Sequence, residues 1–316
     1  MQAHTTDQNS EQLHFWALGD LHFRALAPWR EFQAQRYALM FEDLQALWQA
    51  EGAPAFCVSP GDIIETCAQE NYDLAKSTLQ TYLGQIPFYP GIGNHEYHEP
   101  EIDPRSTRRY FTAAWDKPPR YTWQAEGLLF IMLDYPDPLT LADPTKVFIS
   151  QETQAFLEES LAAHPNLPAL IFLHCPLRNT VLDRNPALGR DYNSLQSFFS
   201  PENSQEIRNI LSRHRNASLF FSGHTHSGWE APRLVVSERD GDHFVSFVNL
   251  MSPWYTGTHK GPHVDKALTS FSYSYDDPDI IPTFSIRTYA NYASIRVRDH
   301  KSRSWLKTWH VPLFSH

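Results

Sequence analysis

Short apolar runs, each ending in a turn, constrain this chain more than any other feature. His14 to Leu18, Ala55 to Ser59, Phe88-Tyr89, Leu128 to Leu133, Leu170 to Leu173 and Leu219 to Phe221 are too short for helices and read as buried strands. Segments with helical spacing separate them. Between Trp29 and Ala50 the apolar positions Phe32, Leu39, Met40, Leu44, Leu47 and Trp48 define a helix that Gly52 stops. Asn71 to Leu83 is a helix closed by Gly84, and Gln151 to Ala163 takes Ser150 as its N-cap. Asn203 to His214 begins with a capping box of Asn203 and Glu206. This alternation, sustained to about residue 226, predicts an α/β fold with crossover helices.

Beyond that point the pattern changes. Leu234 to Val236 and Phe244 to Val248 flank Arg239-Asp240-Gly241-Asp242, a hairpin signal, and Tyr292 to Val297 and Trp305 to Val311 flank a charged turn. Residues 230–316 are therefore expected to be mostly strands of a second sheet. Residues 1–12 read as a flexible polar arm and 13–316 as one domain. The loops His98 to Pro119 and Leu177 to Pro201 are candidate rims of a site.

With 316 residues, 41% hydrophobic and 20% charged, the chain buries a large core without staples. No apolar run reaches membrane-spanning length. Three cysteines make no disulfide framework, and the polar N-terminus has no signal-peptide core, so a reducing, cytoplasmic setting is expected. A net charge of -10 argues against a broad nucleic-acid surface.

The turns at the strand ends carry the chemistry. They are Gly19-Asp20-Leu21-His22, Gly61-Asp62, Gly93-Asn94-His95-Glu96, His174-Cys175-Pro176 and Gly223-His224-Thr225-His226. In open α/β sheets, ligands bind outside the carboxyl ends of the strands. Taken singly, Asp20 caps a helix, Asn94 holds a turn, and His174 is a core histidine with one hydrogen bond. Five such turns at one sheet edge point instead to a shared crevice. Oxygen and imidazole donors without a thiolate cluster suit Mn, Fe, Zn or Ni.

These five blocks, in this order, resemble the calcineurin-like metallophosphoesterases over roughly residues 14–226. The resemblance implies a four-layer α/β/β/α sandwich, two mixed sheets flanked by helices. It implies a dinuclear centre of two divalent or trivalent ions. One is held by Asp20, His22, Asp62 and His226, the other by Asp62, Asn94, His174 and His224, with Asp62 as the bridge. Paired ions of this kind hold a hydroxide that attacks phosphorus in line with the leaving oxygen. His95 matches the family's histidine near the leaving group, and Glu65 stands where the phosphoprotein phosphatase branch has an aspartate that orients it. Tyr97, His98 and Arg178 are candidate substrate contacts, Arg178 as a bidentate phosphate donor.

Departures narrow the reading. Gly61-Asp62-Ile63-Ile64-Glu65-Thr66 lacks the Asp-Arg-Gly ending of the phosphoprotein phosphatases, and no arginine precedes Gly93. A phosphodiesterase acting on a phosphate ester is therefore expected. A phosphomonoesterase or nuclease on the same centre, and a non-catalytic binding scaffold, are the alternatives.

Overall fold

The computed structural model describes residues 10–98, 106–136, 146–182, 193–254 and 280–314, with the backbone alone of 262–264 and 271–273. Fourteen strands and five α-helices are found among them. One six-stranded sheet runs β14(Ser304–Pro312), β13(Tyr292–Asp299), β12(Pro282–Thr288), β1(Leu13–Ala17), β2(Cys57–Ser59), β3(Phe88–Pro90). The other runs β4(Tyr121–Ala125), β5(Leu128–Met132), β6(Ala169–Phe172), β7(Ala217–Ser222), β9(His243–Asn249), β8(Val235–Asp240). A separate two-stranded pair joins β10(Pro262–Val264) and β11(Phe271–Tyr273).

Both large sheets are mixed. β1, β2 and β3 are parallel, while β12, β13 and β14 extend that sheet antiparallel. In the other sheet β5, β6, β7 and β9 are parallel between antiparallel edges β4 and β8. The carboxyl ends of both parallel sets open on one side of the molecule, where the site forms.

The alternation of side chains explains why the strands read as unbroken apolar runs. In β1, Leu13, Phe15 and Ala17 face the opposite sheet, while Trp16 faces the helical side. In β5, Leu128, Phe130 and Met132 point between the sheets and Leu129 and Ile131 point outward; β6 divides Leu170 and Phe172 from Ala169 and Ile171 in the same way. Each strand is covered on both faces, so neither parity needs to be polar. Between the sheets Phe15 stacks on Phe56 at 5.1 Å and meets Phe130 edge-on at 5.7 Å. Outside, α1(Trp29–Glu51) and α2(Gln69–Leu83) cover the first sheet through Tyr37, Met40, Phe41, Leu44, Tyr72 and Leu79. α4(Gln151–Ala163) and α5(Ser204–Arg213) supply Leu157, Leu161, Ile207 and Leu211 against the second. The layers are the four that the motifs imply.

Three details differ from the sequence reading. The C-terminal strands do not form the second sheet by themselves: β8 and β9 complete the sheet of β4 to β7, and β12 to β14 complete the sheet of β1 to β3. Asn203 makes no cap. Its side chain instead exchanges two hydrogen bonds of 2.9 Å with the backbone of Ile149, pinning α5 to the segment before α4. Part of the loop from His98 is helical, α3(Thr107–Trp115), and buries Phe111. The rest of that loop at 99–105, the loop at 183–192 and the arm at 1–9 lie outside the described residues. Ser150, by contrast, caps α4 by accepting from the Thr153 amide at 3.1 Å. No helix among the described residues is long and apolar enough to cross a membrane.

Phe15 is fully buried at the contact between the sheets. Phe15→Ala is expected to destabilise the fold by about 3–5 kcal/mol, read as a lowered midpoint in denaturant at unchanged slope.

Candidate metal centre

Each ligand candidate sits two to five residues past a parallel strand, where the chain must turn away from the sheet. His22 (φ 51°), Asp62 (φ 51°), His224 (φ 69°) and His226 (φ 50°) all turn through the left-handed region. That conformation costs a side-chain-bearing residue about 1–3 kcal/mol and is kept where the surroundings enforce it, characteristically at functional sites. The glycines admit close approach instead. A Cβ on Gly223 would stand 2.1 Å from Asp20 Oδ1, and one on Gly93 would stand 2.3 Å from Asp62 Oδ1.

The side chains converge as two groups. Ligand atoms of Asp20, His22, Asp62 and His226 lie within 4.8 Å of one another, as do those of Asp62, His174 and His224. Asn94 joins the second group, its Oδ1 3.1 Å from His174 Nε2. Asp62 belongs to both: its Oδ2 is 3.0 Å from His174 Nε2 and 3.9 Å from His22 Nε2, while its Oδ1 accepts the His95 amide at 2.9 Å. Asp20 Oδ2 accepts the His224 amide at 2.8 Å and lies 3.2 Å from His226 Nε2.

Several features of this cluster fit metal ions better than a network of hydrogen bonds. Asp20 Oδ2 and His22 Nε2 compete for the one N–H that a neutral His226 can offer at Nε2, at 3.2 Å and 3.0 Å. These spacings match ligands about 2.1 Å from a shared ion, which lie roughly 3.0–3.4 Å apart. Asp20 Oδ1 and His174 Nδ1 are buried without a hydrogen-bond partner. Burial opposes charge on both Asp62 and His174, yet the two hold each other ionised: the carboxyl of Asp62 is kept well below its usual range, and the imidazole of His174 is pushed up to about 9. A proton there supplies positive charge that the carboxylates demand and that a divalent ion supplies better.

Supporting groups fix the ligands. His224 Nε2 donates to the Phe198 carbonyl at 2.9 Å, leaving Nδ1 for the cluster. Gln33 donates to the His22 carbonyl and accepts the Arg24 amide at 2.9 Å. Glu65 Oε2 lies 2.9 Å from His22 Nδ1 and 3.6 Å from His95 Nδ1. The contact that orients His95 comes from the Glu65 backbone, whose carbonyl accepts from His95 Nδ1 at 2.8 Å. The carboxylate expected to serve His95 thus stands closer to His22.

Sequence reasoning missed the part played by Glu96. Its fully buried carboxylate accepts the amides of Gly93 (2.6 Å), Asp62 (3.0 Å), Ile63 (2.8 Å) and Ile64 (3.2 Å), tying the second turn to the third. Burial, reinforced by the charge of Asp62, pushes its carboxyl up to about 7 against those donors. An acidic residue next to His95 carries no signal of this in the sequence, because its partners are backbone groups of a distant turn.

The cleft over the ligands is lined by His95 and His98 together with aromatic rings, and neither Tyr97 nor Arg178 reaches it. Tyr97 is buried, with its hydroxyl accepting from Arg108 Nε at 2.9 Å; Arg178 is exposed beyond the lining.

The sequence profile of calcineurin-like phosphoesterases matches residues 13–228. The chain therefore belongs to this family of metal-dependent phosphoester hydrolases, and the family implies a dinuclear metal centre. A dimetal phosphatase from Danio rerio superimposes with a TM-score of 0.61 at 13% identity, covering 96% of this chain and 100% of that one. The purple acid phosphatase PPD1 from yellow lupin (Lupinus luteus) gives 0.61 at 12% identity, over 96% of this chain and 54% of that one. GAP50 of Plasmodium, described as the anchor in the inner membrane complex, gives 0.58 at 13%, over 97% and 90%. At such identities these likenesses speak for the fold. No curated protein sequence matches the chain.

Gly223→Ala removes no ligand, yet it is expected to displace Asp20 and lower metal content in elemental analysis of the purified protein, with Asp20→Asn as the reference for that loss.

Proposed function

We propose that the chain is a phosphodiesterase working through two metal ions, one held by Asp20, His22, Asp62 and His226 and the other by Asp62, Asn94, His174 and His224. The observation that carries this reading is the position of Asp62 Oδ2, which faces both ligand groups, as a bridging carboxylate must. Ions bound there supply Lewis acidity toward phosphoryl oxygens and activate water as the nucleophile.

The chain's own residues do the rest. His95 lies on the cleft wall beside His22, ring centroids 4.5 Å apart. The Glu65 carbonyl can only accept, so His95 Nδ1 carries a proton and Nε2 is the atom left to serve the leaving oxygen. Glu65 and Gln33 hold His22 in place, and Phe198 does the same for His224 through its carbonyl.

The choice of a diester rests on charge. A monoester dianion calls for cationic side chains beyond the metals, and the described lining of the cleft contains neither arginine nor lysine. A diester carries one negative charge and needs less compensation. With the same metal at neutral pH, kcat/KM for bis-p-nitrophenyl phosphate should exceed that for p-nitrophenyl phosphate; the reverse order would make the enzyme a monoesterase. The assay is run after chelation and reloading with Mn, Fe, Zn or Ni.

Two substitutions separate the roles. Asp62→Asn should lower occupancy at both sites and abolish turnover, whereas His174→Ala should empty mainly one. His95→Gln should retain both ions while kcat falls by roughly 10²- to 10⁴-fold. That loss should shrink for leaving groups of low pKa, which need little protonation.

A further inference from the structure

Two pairs of aromatic rings flank the ligand cluster, and metal binding does not account for them. The cleft encloses about 340 Å³, at the small end for a ligand site. On one side stand Trp29 and Trp254, centroids 5.4 Å apart and planes inclined by 37°. Trp29 opens α1 a few residues after His22. Trp254 follows β9, where Ser252 Oγ donates to the Asp20 carbonyl at 2.7 Å and so anchors that segment to the site. On the other side Phe198 and Phe199 meet edge-on at 5.2 Å, and their rings lie 5.6 Å and 5.5 Å from the ring of His224.

Packing explains Trp254 and Phe199, which are buried, but not the other two rings. Phe198 is 58% exposed although it adjoins a buried centre. Trp29 is half-buried, and its indole N–H is buried without a hydrogen-bond partner. A single exposed phenylalanine is ordinary. Here the exposed ring shares one cleft with three others. Every large apolar side chain in the described lining is aromatic, with no leucine, isoleucine, valine or methionine among them. An alkyl chain would be served as well by aliphatic walls. Rings offer flat π faces, which suit another flat ring. The described lining lacks arginine and lysine, and the Arg24 guanidinium stands behind it, 5.1 Å from the centre of the Trp29 ring.

We propose that the cleft selects phosphate esters bearing a planar aromatic ring, an aryl group or a nucleobase, with the phosphate at the ligand cluster and the ring stacked on Phe198 or Trp29, each backed by its buried neighbour Phe199 or Trp254. This rests on the phosphoesterase reading above and adds its substrate class. Stacking on an aromatic side chain strengthens binding by roughly 5- to 150-fold per ring.

The test uses the metal-loaded enzyme, bis-p-nitrophenyl phosphate as reporter, and two matched pairs of inhibitors. Phenyl phosphate is compared with cyclohexyl phosphate, and uridine 5′-monophosphate with ribose 5-phosphate. The ring-bearing member of at least one pair should inhibit roughly 5- to 150-fold more tightly. A gap in the first pair alone identifies an aryl ester, and a gap in the second a nucleobase. Trp29→Leu or Phe198→Leu, which keep an apolar side chain without a ring, should narrow the gap. Equal inhibition within both pairs, or a gap that neither substitution alters, overturns the proposal. The wild-type comparison needs no variant to fold. Quenching of tryptophan fluorescence by the same four compounds gives their affinities without turnover. If no metal supports hydrolysis, the phosphoesterase reading fails, while the quenching series still decides the preference for rings.

Discussion

The contact of 3.0 Å between Asp62 and His174 joins the two sheets at their carboxyl edge. Asp62 comes from the turn after β2 in one sheet and His174 from the turn after β6 in the other. Both are buried, and each supplies the charge that keeps the other ionised. A buried pair of this kind gains little for stability over an apolar one, and losing either partner leaves an uncompensated charge. Its value is positional, since it places a carboxylate oxygen between two sets of ligands.

The fold is arranged to make that contact possible. Phenylalanines between the sheets fix their separation, so that turns from both edges reach one crevice. Glu96 clamps the backbone of the second and third turns together, and glycines at 93 and 223 let that backbone approach the carboxylates. The left-handed conformations at His22, Asp62, His224 and His226 are held against their local cost by this surrounding structure. Carboxylates and imidazoles held in this way would need little reorganisation to receive the ions that the family implies.

The protein is acidic, and the described lining of its cleft has no arginine or lysine. In the phosphodiesterase reading proposed above, positive charge for the phosphate comes from the ions, and in the substrate proposal the aromatic rings contribute affinity without charge. The two proposals assign chemistry and substrate choice to separate sets of residues that share one cleft.

Much of this was legible in the sequence. The apolar runs located most of the strands of the α/β half, because strands buried on both faces need no polar parity. The turns after them named the candidate ligands that the structure gathers, because glycine, carboxylate and imidazole recur together where a chain leaves a sheet at a site. Sequence pattern alone supplied the order of most elements of the α/β half, the candidate ligand types and the family they resemble, and left β4, β12 and α3 unread. Which sheet each C-terminal strand joins emerged with the folded structure, since pairing depends on contacts far apart in the chain. The same structure gave Glu96 its backbone partners, set the Glu65 carboxylate beside His22, kept Tyr97 and Arg178 out of the cleft, and gathered Trp29, Trp254, Phe198 and Phe199 around the ligands. Those outcomes turn on where side chains from distant segments point, and local spacing carries no record of that.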